Sequence, residues 1–152
     1  MAGRSSKSKK QSAPNSKPPN SPVLFLDRAL GNKVVAQALR DAGVEAQTHS
    51  GHFALDAADE EWLLEVGRRG WIVLTKDDRI RYRIAERTAL ITANVRAFVL
   101  VSGNMIGPSM AQVFVAALPA ILRLTEQHSP PFIAKVYKDS RVRMLDLPDS
   151  AS

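Results

Sequence analysis

Val23-Leu24-Phe25-Leu26-Asp27, residues 23–27, is a run of four apolar side chains closed by a carboxylate. A short apolar run without polar alternation reads as a strand buried on both faces, as a parallel sheet covered by helices requires. The pattern recurs at Trp71-Ile72-Val73-Leu74-Thr75, which Lys76 and Asp77 follow. Helix-period segments lie between the two runs. Lys33 to Asp41 places Val34, Val35, Ala38 and Leu39 at helical spacing before Gly43, and Ala58 to Arg69 is closed by Gly70. Strands taking turns with helices predict βαβ units. The expected fold class is therefore α/β, a three-layer α/β/α sandwich around a central, mostly parallel sheet.

Outward from this core the alternation continues. Val44 to Thr48 reads as a second strand, Asp78 to Thr88 as a basic helix and Val95 to Val101 as a fourth strand. Gly107-Pro108 opens the longest helix, expected through Leu124, because proline is tolerated in a first turn. Pro119 inside it predicts a kink. Phe132 to Tyr137 and Val142 to Leu145 suggest a last strand or hairpin. The apolar stretch from Met110 to Leu124 reads first as core, and second as a subunit interface such as a homodimer would use.

Composition sets the surroundings. The net charge is +6, and residues 1–22 hold Arg4, Lys7, Lys9, Lys10 and Lys17 with no acid. This Ser-, Lys- and Pro-rich tail has too little apolar surface to offset the entropy of ordering, so it is expected to be disordered. The domain is expected at 23–147, with 148–152 a second disordered end. The tail lacks the apolar stretch of a secretory signal. No uninterrupted run is expected to span a bilayer. Without cysteine there is no disulfide framework and no thiolate nucleophile, so a cytoplasmic setting without a membrane partner is expected.

Three acids carry the chemistry. Asp27 and Asp77 end predicted strands, and Asp59 opens the helix between them. Carboxylates gathered at the carboxyl ends of parallel strands repel one another unless protons or a divalent cation neutralise them. A hard cation such as Mg²⁺ takes oxygen ligands and needs only one or two protein carboxylates. Each acid also has a plainer reading: Asp27 as a turn residue, Asp59 as a dipole partner in the run Asp59-Glu60-Glu61, and Asp77 as an N-cap. Positions 59, 62, 63 and 66 share one helical face, which would carry Asp59 toward the sheet with Trp62, Leu63 and Val66. No nucleophile elbow or Gly-rich phosphate loop is present.

These residues and their order resemble the PIN domain, specifically the short PIN-like proteins related to VapC toxins of toxin-antitoxin pairs. The carriers are Phe25-Leu26-Asp27, Asp59-Glu60-Glu61-Trp62 and Leu74-Thr75-Lys76-Asp77. The resemblance implies a ribonuclease in which Asp27, Asp59 and Asp77 hold Mg²⁺ or Mn²⁺ and the metal activates a water to attack an RNA phosphodiester. It also implies a cognate antitoxin as partner. Thr75 matches a hydroxyl position that supports the site. Asp78 is a candidate fourth acid, although on a helix it would point about 100° from Asp77. Arg28 stands where many relatives carry a second polar or acidic residue.

Arg79, Arg83 and Arg87 recur every four residues and, with Lys76, form a basic stripe able to hold RNA phosphates. A solvated helix face is the equal alternative. His49 and His52 have a spacing that sometimes binds zinc, but no further ligands. Two other classes stay open: a PIN-like module that binds RNA or protein without cutting, and a receiver-like domain. The latter would want an acid pair where Asp27-Arg28 stands.

Overall fold

A computed structural model describes residues 22–31, 33–76, 84–101 and 104–145. In chain order these residues form β1 (Val23–Leu26), α1 (Val34–Asp41), β2 (Glu45–Thr48), α2 (Asp59–Arg69) and β3 (Ile72–Thr75). Then come α3 (Ile84–Ala93), β4 (Arg96–Leu100), α4 (Gly107–Gln127), β5 (Phe132–Val136) and β6 (Val142–Leu145). The sheet has six strands in the order β2-β1-β3-β4-β5-β6. Every pairing is parallel except β5 with β6, which closes the sheet as an antiparallel hairpin.

The apolar runs alternate sides as strand geometry demands. Leu24, Leu26, Ile72, Leu74, Phe98 and Leu100 face one layer, where they pack with Val35 and Leu39 of α1 and Phe114 and Ile121 of α4. Phe25, Val73, Ala97 and Val99 face the other, against Trp62, Leu63 and Val66 of α2 and Leu90 of α3. The expected α/β/α sandwich is therefore present. Burying a side chain such as Phe25, which has no exposed surface, stabilises the fold by about 2–3 kcal/mol.

Helix boundaries follow local chemistry. Gly70 ends α2 in the left-handed region at φ 74°, its N–H returning to Gly67 and Val66 carbonyls. Gly67 serves a different need: a Cβ there would lie 1.9 Å from the Ala93 carbonyl oxygen, so the close approach of α2 to the end of α3 requires glycine. The helix expected to end at Thr88 instead runs to Ala93, because Ala89 and Leu90 continue its apolar face onto the sheet. Likewise α4 extends past Leu124 to Gln127 and continues through Pro119. By length and composition α4 could cross a bilayer, contrary to the sequence expectation. In the fold Met110, Val113, Phe114, Leu118 and Ile121 are instead buried in the core, the first of the two readings offered for this stretch.

One connection departs from habit. β1 steps to β2 in one direction along the sheet and β4 steps to β5 in the other, yet α1 and α4 pack on the same face. The two crossovers thus have opposite hands, although parallel crossovers are overwhelmingly right-handed.

Candidate active site

Strand order reverses at β1, which has β2 on one side and β3 on the other. In open α/β sheets the carboxyl ends at such a switch point form the natural crevice for a ligand. Asp27 stands there, one residue beyond β1, and its N–H donates to the Leu74 carbonyl at 3.0 Å. The residue is only 5% exposed. Its Oδ2 accepts a 2.7 Å hydrogen bond from Oγ1 of Thr75, the fully buried last residue of β3. Bonds from a hydroxyl to a carboxylate are short and strong, so Thr75 fixes the orientation of the buried acid.

Arg28 opens a single 3-10 turn, Arg28–Leu30, tied back by the Leu30 N–H to the Asp27 carbonyl. Its guanidinium donates to the Leu55 carbonyl. The other terminal nitrogen stands 3.6 Å from Oδ1 of Asp59. Asp59 is the first residue of α2, one past an Ala58 N-cap that has no side-chain oxygen to offer. The same Oδ1 accepts a 3.0 Å hydrogen bond from the indole N–H of Trp62, one turn along the helix. Arg28 thus adjoins Asp27 in the chain and faces Asp59 in space, a cation between two acids.

An aromatic floor underlies this trio. The Phe25 ring lies 5.4 Å from Trp62, 5.8 Å from Phe53 and 6.3 Å from His49 between centroids. His49 is fully buried, and among the described residues neither ring nitrogen has a hydrogen-bond partner. Burial lowers its pKa, the Arg28 charge adds to that, and the Asp27 and Asp59 carboxylates oppose it. A histidine depressed in the folded state gives full stability only above its unfolded value of about 6.5, and stability falls as the pH drops below that value. Lowering the pH from about 7 to about 5 should therefore lower the unfolding midpoint. His49→Phe should flatten that dependence, leaving the smaller share from His52, whose pKa burial and Arg69 also depress. Thermal melts across this range would check it; equal slopes in both proteins would refute it.

The structure brings Asp27, Thr75 and Asp59 to one end of the sheet. Lys76, half-buried, continues directly from β3, and Arg87 is half-buried in α3. Asp77, Asp78, Arg79 and Arg83 lie outside the described residues. Among the described residues no group of three or more His, Asp or Glu side chains is gathered closely enough to hold a metal. His49 and His52 make no zinc pair: His49 is enclosed by the aromatic floor, and Nε2 of His52 lies 2.9 Å from Oε1 of Gln47. The donor set itself, carboxylates with a threonine hydroxyl nearby, is all oxygen and suits a hard divalent cation. The guanidinium beside Asp59 shows that a positive charge is accommodated at this point.

Two contacts of the site go beyond the reading of the sequence, the Trp62 indole on Asp59 and the Leu55 carbonyl on Arg28. Trp62 had a usable signal, since a residue three beyond Asp59 shares its face. The Leu55 carbonyl had none, because the loop that brings it to Arg28 exists only in the folded chain.

Comparison with known proteins points the same way. The sequence pattern described as "PIN like domain" matches residues 22–102. A protein of Mycobacterium tuberculosis named "Putative ribonuclease VapC45" is 32% identical over 126 residues, which cover 80% of this chain and 91% of that protein. No solved structure matches the chain.

Proposed function

Because this chain belongs to the PIN-like domain family, as the matched pattern and the identity to the mycobacterial protein establish, we propose that it is a metal-dependent endoribonuclease of the VapC toxin type. The observation that carries this is the buried Asp27 carboxylate, held by Thr75 at the sheet's switch point, with Asp59 opening a helix at the same end of the sheet. Asp27, Asp59 and Asp77 would hold Mg²⁺ or Mn²⁺. When bound, such an ion supplies an acidified water and offsets the negative charge that grows on the phosphate oxygens. Asp27 keeps its orientation through Thr75, and Asp59 keeps its own through Trp62, so neither acid must reorganise when substrate enters. Asp78 is a reserve acid in this scheme. Lys76, Arg79, Arg83 and Arg87 would position the RNA backbone without reading its sequence. A cognate antitoxin that occludes the acidic crevice, a cytoplasmic setting and a homodimer complete the proposal.

Arg28 stands where the family resemblance leads one to expect a polar or acidic residue. Its guanidinium competes with a metal for Asp59, and a half-exposed ion pair of this kind is worth up to about 1 kcal/mol. Arg28→Ala should therefore tighten Mn²⁺ binding about fivefold by titration calorimetry; weaker or unchanged binding would show that Arg28 does not compete. The same contact supports a second reading, a PIN-like RNA- or protein-binding module in which arginine replaces the metal. Incubation with RNA separates the two: cleavage that requires Mn²⁺ and stops with chelator supports the nuclease. Absence of both cleavage and Mn²⁺ binding in the wild type would decide for the module.

A further inference from the structure

The β5–β6 hairpin, remote in sequence from the three acids, carries an unusual concentration of positive charge. Lys135, Lys138, Arg141 and Arg143 stand there with Asp139 as the one acid among residues 132–145. Lys135 lies directly opposite Arg143 in the antiparallel register. Like charges facing across two strands destabilise a sheet by some tenths of a kcal/mol, so the pairing calls for an explanation. Charges on an edge strand protect against aggregation, and that alone could account for Arg143.

Edge protection does not account for Tyr137. The Lys135 ammonium lies 5.8 Å from the centre of its ring, and the Arg141 guanidinium 5.2 Å. Asp139 accepts hydrogen bonds from the backbone N–H of Arg141 at 3.1 Å and from its Nε at 2.9 Å, which holds the guanidinium beside the ring. The turn is itself braced: the Ser140 hydroxyl donates to the Val113 carbonyl of α4 at 3.1 Å, and the Tyr137 N–H donates to the Arg141 carbonyl at 2.9 Å. Among the described residues Lys135 and Arg143 form no ion pair with an acid. The result is a rigid aromatic ring among cations whose charge is largely uncompensated.

Its location follows from topology. β5 is parallel to β1, β3 and β4, so Tyr137, one residue past β5, lies at the same end of the sheet as Asp27 and Thr75. Three strand spacings separate β5 from β1, the strand that Asp27 follows, about 14 Å. Single-stranded nucleic acid is held where a basic surface follows the backbone and an aromatic ring stacks a base, over sites of roughly four or more nucleotides.

We propose that Tyr137 with Lys135, Arg141 and Arg143 forms a second contact for single-stranded RNA, a stacking platform that receives the strand about 14 Å along the sheet end from Asp27. This rests on the ribonuclease reading above and deepens it, since it makes unpaired RNA the substrate.

The test uses the full chain carrying Asp27→Asn, so that RNA is bound and not cut, with a fluorescein-labelled single-stranded RNA of roughly 12 nucleotides and anisotropy as readout. Combined Lys135→Gln, Arg141→Gln and Arg143→Gln should weaken binding about thirtyfold. It should also reduce the slope of log affinity against log salt by about 2, the share of three phosphate contacts on a single strand. Tyr137→Leu should cost about tenfold with the slope unchanged, because stacking releases no counterions. Arg143→Gln alone, exposed on the edge strand, should cost about threefold and guards against a misfolded triple variant. If these variants bind like their parent while the wild type cleaves RNA with Mn²⁺, the platform is wrong and the nuclease stands. If the parent binds no RNA and the wild type cleaves none, both fail. If polyglutamate binds the parent as tightly as RNA does and Tyr137→Leu changes neither, the hairpin is a surface for an acidic protein and the proposal is overturned.

Discussion

Asp27→Asn is expected to lower RNA cleavage by at least about a thousandfold, close to 4 kcal/mol of transition-state stabilisation, while the protein stays folded. Asparagine has the shape of aspartate and its Oδ1 can still accept the Thr75 hydroxyl, so the bond that crosses from β3 to the end of β1 survives. What disappears is the charge, and a neutral amide is a poor ligand for a hard divalent cation. Alanine is the less informative change. It would remove the Thr75 hydrogen bond together with the charge and mix a folding defect into the assay. Cleavage of a defined RNA with Mn²⁺, beside thermal melts of both proteins, is the measurement. Activity within about tenfold of wild type would remove Asp27 from the chemistry and the metal proposal with it.

Asp59→Asn should match that loss of cleavage with a different structural signature. The Trp62 indole can still donate to the amide oxygen, so α2 should keep its place. The contact with Arg28 loses its ionic character, but the two side chains are 36% and 25% exposed, so stability should change by less than about 1 kcal/mol. Arg28→Ala separates the roles further: its effect on Mn²⁺ affinity should vanish in the Asp59→Asn background, since two changes to one ion pair are not additive. A loss of more than about 2 kcal/mol in Asp59→Asn, with cleavage retained, would return Asp59 to the plainer role of a helix-terminal acid serving the fold.

Both expectations turn on the same arrangement. Two acids stand at one end of the sheet, one hydrogen-bonded to a hydroxyl and the other to an indole, beside the aromatic cluster of Phe25, Trp62 and buried His49. Arg28 neutralises part of that charge, which is why the proposed metal binding should respond to its removal.

The sequence by itself determined the strands and the layer count. Apolar runs such as Val23–Leu26 and Ile72–Thr75 are too short for helices and too uniformly apolar for a sheet with a wet face, so a parallel sheet under helices is what remains. It also nominated Asp27, Asp59 and Asp77 as candidate ligands, because strand ends and helix starts are local features that spacing reveals. The tertiary structure alone decided what those acids touch. Thr75 is 48 positions from Asp27 and becomes its partner only because β1 and β3 are neighbours. Arg28 meets Asp59 across 31 positions, and no periodicity in the chain encodes that encounter. The opposite hands of the α1 and α4 crossovers were likewise invisible, since an amphipathic helix specifies that one face is buried and not which side of the sheet it covers. The basic ring around Tyr137 came from cross-strand register, which sets Lys135 against Arg143 and can be known only once the hairpin is closed.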